Sequence, residues 1–380
     1  MNSKMIPTLS ASRAALAVLS CLVMAACSPS AKRPEPAPLA AVSPLMGVKL
    51  AWKGNVGASG SSVAPTVEHG LLLVAGADDA LLALDSGSGK SMWRVDLGAP
   101  ASSPAGYDGR TAAIITAEND LVVVEEGKEA WRKRLPARSF TRPVVAGGRV
   151  FVHQADRSVA AFDAGNGARL WALSRPGEPL VLQQPGVMLA VGNTLVVGLS
   201  GYLAGIDPDA GRIRWTATVA NPRGTNEVER LVDLVAPYAR LGESVCVRSF
   251  SSRVGCVDAV AGRTIWSNAD QGAAGVSGDA EMVIGSDADG VVRAWNRATG
   301  AELWSNARLK YRQLTAPRLL GQSVAIGDAD GWVHLVSRKD GSELNRLSTD
   351  GSPVVGSPVL AGDVLVVQTQ KGGLFAWRPE

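Results

Sequence analysis

The feature that most constrains this chain is a segment written into it several times over. "DDALLALDSGSGKSMW" (78–93), "DRSVAAFDAGNGARLW" (156–171), "LSGYLAGIDPDAGRIRW" (199–215) and "DADGVVRAWNRATGAELW" (287–304) share one order: apolar alternation, an acid or Asn, a Gly, then Trp. The closing tryptophans are Trp52, Trp93, Trp131, Trp171, Trp215, Trp266 and Trp304, and Asn345 in "GSELNRL" takes an eighth place. Their intervals of 41, 38, 40, 44, 51, 38 and 41 residues match the period of four-stranded propeller blades. Within each unit, period-2 alternation and a turn signal about every ten residues specify strands rather than helices.

A ring of sheets must close, and the chain ends show how. "SPVLAGDVLVVQTQKGGLFAWRPE" (357–380) supplies three strands and stops before its Trp strand, whereas "VKLAWKGNVG" (48–57) is a Trp strand with no blade before it. Together they complete an eighth blade, which removes exposed edges. At 380 residues length alone allows one large or two average domains; the closure argument decides for one. The sequence therefore predicts an all-β protein, an eight-bladed β-propeller over 47–380, closed by pairing the N-terminal strand with the C-terminal three strands. The recurrent Asp/Asn and Gly shape the turn before the outer strand, and Trp is large enough to wedge between blades.

Ahead of the propeller, Lys4 and Arg13 precede an apolar run, "AALAVLSCLVMAA" (14–26), which reads as a signal peptide. The run is too short to span a bilayer comfortably. "MAAC" (24–27) resembles the bacterial lipobox, which implies lipidation of Cys27 after removal of residues 1–26. The next stretch, "SPSAKRPEPAPLAAVSP" (28–44), holds five prolines and little apolar pattern, so residues 27–46 are expected to form an extended, flexible tether.

Composition excludes little but guides the weighing of motifs. A net charge of +3 demands no nucleic acid or strongly anionic partner, and "WRKRLPAR" (131–138) reads as a solvated strand end. Cys246 and Cys256 are nearly symmetric about Ser251, so a hairpin can set them opposite one another. A disulfide and a pair of buried thiols on neighbouring strands both fit, because one residue of register separates the two outcomes. "SGSGKS" (86–91) lacks the first Gly of a phosphate loop and sits between strands; "DADG" at 287–290 and 328–331 lacks the remaining calcium ligands. His69, His153 and His334 fall in different repeats with no metal spacing, and no nucleophile elbow is present. No catalytic residue, metal site or cofactor is assigned.

Insertions in a repeat protein locate its functional loops. From Trp to the Pro opening the next blade the distance is mostly 10 to 13 residues, but Trp171 to Pro185 takes 14 and Trp215 to Pro237 takes 22. Both connections flank the fourth blade and should emerge on one face. "EPLVLQQ" presents Leu180 and Leu182 at alternate positions. In "TNEVERLVD", Val228, Leu231 and Val232 at i, i+3 and i+4 behind Thr225 or Asn226 predict a short amphipathic helix. Apolar anchors beside charges are what a docking patch requires.

Two families share such repeats. The repeat itself resembles that of pyrroloquinoline-quinone-dependent dehydrogenases, the enzymatic alternative, although those enzymes are longer and carry a vicinal Cys pair. The whole mature chain, through the lipobox, the tether, the eight repeats, "PLVLQQPG" and "GTNEVERLVD", resembles the BamB family, lipoprotein propellers of the bacterial β-barrel assembly machinery. The resemblance implies a non-catalytic scaffold on the periplasmic side of the outer membrane, held there by lipid at Cys27. It implies docking on the POTRA domains of BamA, indirect contact with the other assembly lipoproteins, and unfolded outer-membrane clients as a further partner. The positions it carries over are Leu180, Leu182, Gln183 and Asp233, with Glu227, Glu229 and Arg230 adjoining. Gln183 stands where an Arg is often found and Val235 where a second Asp sits, so the apolar anchors carry over better than the charges.

Overall fold

The computed structural model describes residues 34–58, 63–174 and 180–380. The signal peptide, Cys27 and the start of the first long connection lie outside them. The described strands form eight four-stranded antiparallel sheets. Blades 1 to 7 each use four consecutive strands, and the first strands of the blades, or the residues just ahead of them, line a central channel. In blade 8 the strand Val48–Asn55 pairs with Gly373–Pro379, Val48 opposite Pro379 and Asn55 opposite Gly373. The ring is thus closed by the two ends of the chain, as the repeat count predicts.

Local sequence explains the blade-to-blade contacts. Each of the seven tryptophans lies against a glycine in the outer turn of the next blade: Gly89, Gly127, Gly167, Gly211, Gly262, Gly300 and Gly341. Every one has a left-handed φ between 64° and 76°, and a Cβ there would fall 2.5–2.8 Å from the Trp side chain. Glycine is needed both for the backbone and for the ring. Trp131 and Trp266 also donate their indole N–H to the turn carbonyls of Ala164 and Arg297, each at 2.7 Å. Asn345 departs from the pattern for a topological reason. The next blade is blade 8, whose third strand is C-terminal and whose outer strand is N-terminal, so it has no such turn. The Asn345 amide donates instead to the Met46 carbonyl at 2.9 Å.

A register shift in the outer strand precedes each of these positions, for example between Ala83 and Leu84 opposite Met92, and Met92, Leu170 and Leu303 are exposed there. Such bulges twist an outer edge away from further pairing.

The spaces between adjacent blades are filled by largely aliphatic side chains closed to solvent. Cys246 and Cys256 are opposite in register in blade 5 and form a disulfide, which settles the choice the sequence leaves open. The "SGSGKS" stretch is the outer turn of blade 1, where the Asp85 carboxylate accepts from Ser88 N–H. Both "DADG" stretches are turns on the opposite face, in which Asp287 and Asp328 each accept two backbone N–H groups. The basic cluster is engaged locally, Arg132 with Glu129 and Arg134 with Asp120.

The predicted tether takes a form the sequence does not suggest. Its described C-terminal part, Pro36–Met46, lies along blade 7, with Ala37 N–H donating to Lys310 carbonyl at 2.9 Å and Leu45 N–H to Leu344 carbonyl at 2.8 Å. Among the described residues no helix is long and apolar enough to cross a membrane.

Candidate docking site

Strand order places both long connections on one face. Chain direction alternates across each blade, so the interblade loops and the turns between second and third strands share a face, here called the loop face. The first connection joins Arg169–Leu173 of blade 3 to Met188–Val191 of blade 4; the second joins Ile213–Thr218 of blade 4 to Leu234–Leu241 of blade 5. Glycine admits the second one: a Cβ at Gly201 would lie 2.1 Å from the Ala220 carbonyl oxygen, and Val219 and Ala220 both donate to Gly201 carbonyl at 2.9 Å.

The two connections are stitched together. The Asp233 carboxylate accepts the Leu182 N–H at 3.2 Å and pairs with Arg157 at 3.4 Å, while Arg157 also donates to the Leu180 carbonyl at 3.2 Å. Side-chain exposures of 11% for Arg157 and 17% for Asp233 shield this pair more than a surface ion pair, so removing one partner costs more than breaking an exposed pair. Below it, Ala236 N–H donates to Pro185 carbonyl at 2.9 Å and Gly186 bridges Val235. His153 lies at the base of the cleft so formed. Burial lowers its pKa to about 4, with Asp156 opposing and Arg157 assisting, so the imidazole is neutral at neutral pH.

The predicted site residues therefore divide. Leu180 and Leu182 are half-buried at the cleft edge and Gln183 is exposed beside them. Glu227, Glu229 and Arg230 are exposed across the second connection. Asp233 is brought to the same place but turned inward, positioning the first connection's backbone. Val235 is buried in the inner strand of blade 5, so an acid there could not reach a partner.

The amphipathic helix does not form. Asn226 caps a single turn, accepting Glu229 N–H at 2.9 Å, and the Glu229 carboxylate returns to Thr225 N–H at 2.8 Å. That backbone N–H bond, which outweighs desolvation, holds the Glu229 carboxyl below its usual range, with smaller help from Asn226. The turn stops because Val232 is drawn into the core at 3% exposure, whereas Val228 is left at the tip at 68%. Sequence reasoning missed two residues here. Val228 carried a signal, an apolar residue in a charged loop, but was assigned to a helix face. Arg157 carried none, since "ADRS" reads as an ordinary turn.

His69, His153 and His334 lie in blades 1, 3 and 7, and among the described residues no group of three or more His, Cys, Asp or Glu could hold a metal ion.

Comparison with known proteins now adds the family. Residues 77–306 match the family described as "Outer membrane protein assembly factor BamB". A protein of that name from Burkholderia pseudomallei is 35% identical over 363 residues, covering 94% of this chain and 95% of its own. The crystal structure of BamB from Moraxella catarrhalis superposes with a TM-score of 0.80 at 24% identity, covering 87% of this chain and all of that one (100%). Quinohemoprotein alcohol dehydrogenase from Comamonas testosteroni shares the fold alone, at a TM-score of 0.66 and 14% identity over 87% of this chain and 76% of its own. With eight blades, ends closed in one sheet and a relative of this identity along nearly the whole length, the chain belongs to the BamB family of outer membrane protein assembly factors.

Proposed function

We propose that the chain is a non-catalytic scaffold of the outer-membrane β-barrel assembly complex, anchored by lipid at Cys27 and facing the periplasm. Its docking edge is the pair of connections around blade 4, and its partner is the POTRA region of BamA. One observation carries this reading: the two interblade connections with the longest Trp-to-Pro spacings are joined by Asp233 and Arg157 into a single edge. That edge offers Leu180, Leu182 and Val228 beside Gln183, Glu227, Glu229 and Arg230, apolar anchors with a polar rim.

A strand-shaped client fits the outer edges less well, since each outer strand is bulged at its Trp. The likeness to quinohemoprotein dehydrogenases is one of fold and supplies no ground for a quinone cofactor.

The test is recovery of the partner from membranes. L180D/L182D should abolish co-purification of BamA while circular dichroism and the unfolding midpoint stay near wild type. A photoreactive residue at Leu182 should capture a POTRA-containing protein. Undiminished recovery by the double variant would overturn the assignment.

A further inference from the structure

The N-terminal segment ahead of the propeller is held by more than its two backbone hydrogen bonds. Arg312 donates to the Ala37 carbonyl and Arg346 to the Ala40 carbonyl, each at 3.1 Å. Both arginines end one chain of charges within blade 7. Arg312 pairs with Asp328 at 2.7 Å, and Asp328 meets His334 Nε2 at 3.0 Å. His334 Nδ1 faces Glu343 at 3.5 Å, and Glu343 pairs with Arg346 at 2.7 Å. Asp330 adds a second carboxylate on Arg312. Asp328 and His334 are fully enclosed and Arg312 is 6% exposed, a degree of burial that surface ion pairs lack. At the far end the Asn345 amide holds Met46.

This segment crosses the blade from one face to the other. Lys310 and Arg312 belong to the interblade connection before blade 7, on the loop face. Met46 and Gly47 lie at the opposite face, where Glu380 N–H donates to Gly47 carbonyl at 3.1 Å. The preceding chain therefore leaves the propeller at Pro36 on the face that carries the docking cleft. Were the segment released, the point of departure would move to Gly47 and the other face.

We propose that Pro36–Gly47 is a latched strap, fixed by the chain Arg312–Asp328–His334–Glu343–Arg346, that turns the loop face and its docking cleft toward the lipid surface. The proposal rests on lipidation at Cys27. Nine residues from Cys27 to Pro36 reach about 30 Å at full extension, against about 65 Å from Gly47. A leash of the shorter length, fixed to the rim of the loop face, keeps that face nearest the bilayer; the longer one, starting from the other face, does not.

The experiment uses the full lipidated chain in vesicles of phosphatidylethanolamine and phosphatidylglycerol that carry a nitroxide headgroup quencher. A fluorophore is attached through R308C on the loop face or N193C on the opposite face, both exposed positions outside the latch. Strong quenching at 308 and weak quenching at 193 is expected, and R312A/R346A should erase the contrast. Because that variant removes buried charges and can misfold, A37P/L45P is read beside it. It removes the two strap N–H donors and leaves the buried charges in place, so it should reduce the contrast in a folded propeller. Equal quenching at both sites in vesicle-bound wild type, a contrast that A37P/L45P leaves undiminished, or one that persists in folded R312A/R346A, would overturn the strap. Protein that does not float with vesicles overturns the lipidation reading itself.

Discussion

Blade 4 is flanked and blade 7 is crossed by irregular chain held by arginine and carboxylate, yet the two arrangements differ in depth. At blade 4, Arg157 and Asp233 sit beneath a thin cover and satisfy backbone groups of the first connection. At blade 7 the charges are enclosed, linked through His334, and only their outer ends reach the strap. The difference teaches that similar chemistry can serve recognition in one place and immobilisation in another, according to how much solvent it has lost. An exposed edge must remain available to a partner, whereas a strap must not let go.

The largest effect should follow from breaking the buried set. D328A strands Arg312 and the His334 imidazole without their shared partner, and loss of one member of a buried pair costs about 3–5 kcal/mol. Urea unfolding measures it. D233A should cost less, about 1–2 kcal/mol, since a charge-assisted hydrogen bond and a partly shielded pair are lost near solvent. It should also reduce BamA recovery directly, whereas D328A acts through the fold and the strap and leaves the docking edge itself unchanged. Equal destabilisation by the two variants would erase the distinction between the regions.

A graded effect follows from pH. Burial opposes the charged His334, but hydrogen bonds and charges from Asp328 and Glu343 outweigh it and hold its pKa above the ordinary value. A group raised on folding stabilises fully below its unfolded pKa of about 6.5 and loses that contribution as pH rises through the folded value. Desolvation likewise works against Asp328 and Glu343, yet their hydrogen bonds hold both carboxyls below the usual range, so their contribution is lost on acidification. The wild-type unfolding midpoint should therefore decline from neutral toward alkaline pH, and H334Q should remove that decline. D233A should leave the slope untouched.

The smallest effect on stability belongs to Val228. V228S changes an exposed side chain and should stay within about 0.5 kcal/mol of wild type, while weakening partner recovery if the turn tip touches the partner. Isothermal titration with purified POTRA domains would measure it.

Much of this molecule was legible because it is encoded locally and repeatedly. The Trp period, the turn glycines and the incomplete first and last units led to eight blades and their closure, and the lengthened connections pointed to blade 4. What escaped was encoded at long range. The strap is a proline-rich stretch with no apolar period, held by Arg312 and Arg346, whose bonds to Ala37 and Ala40 span 275 and 306 residues. The short helix expected behind Thr225 or Asn226 does not form because capping residues can close one turn as well as begin several, and burial of Val232 stops it there. The disulfide depended on register, which pairing of whole strands fixes and spacing alone does not.

Closure of the ring through blade 8 has a consequence for how the protein comes into being. Contacts such as Gln368 with Ala75, 293 residues apart, form only after nearly all the chain is available, and such distant pairings are slow to find. Until then blades 1 and 7 each present an uncovered flank, an aggregation-prone intermediate in which the edge around blade 4, built from nearby segments, can already exist. The strap lies across blade 7, beside the last junction to be made. Its binding surface, Lys310 to Arg346, precedes the C-terminal strands of blade 8, so its docking would set Val48–Asn55 beside the place where the circle closes.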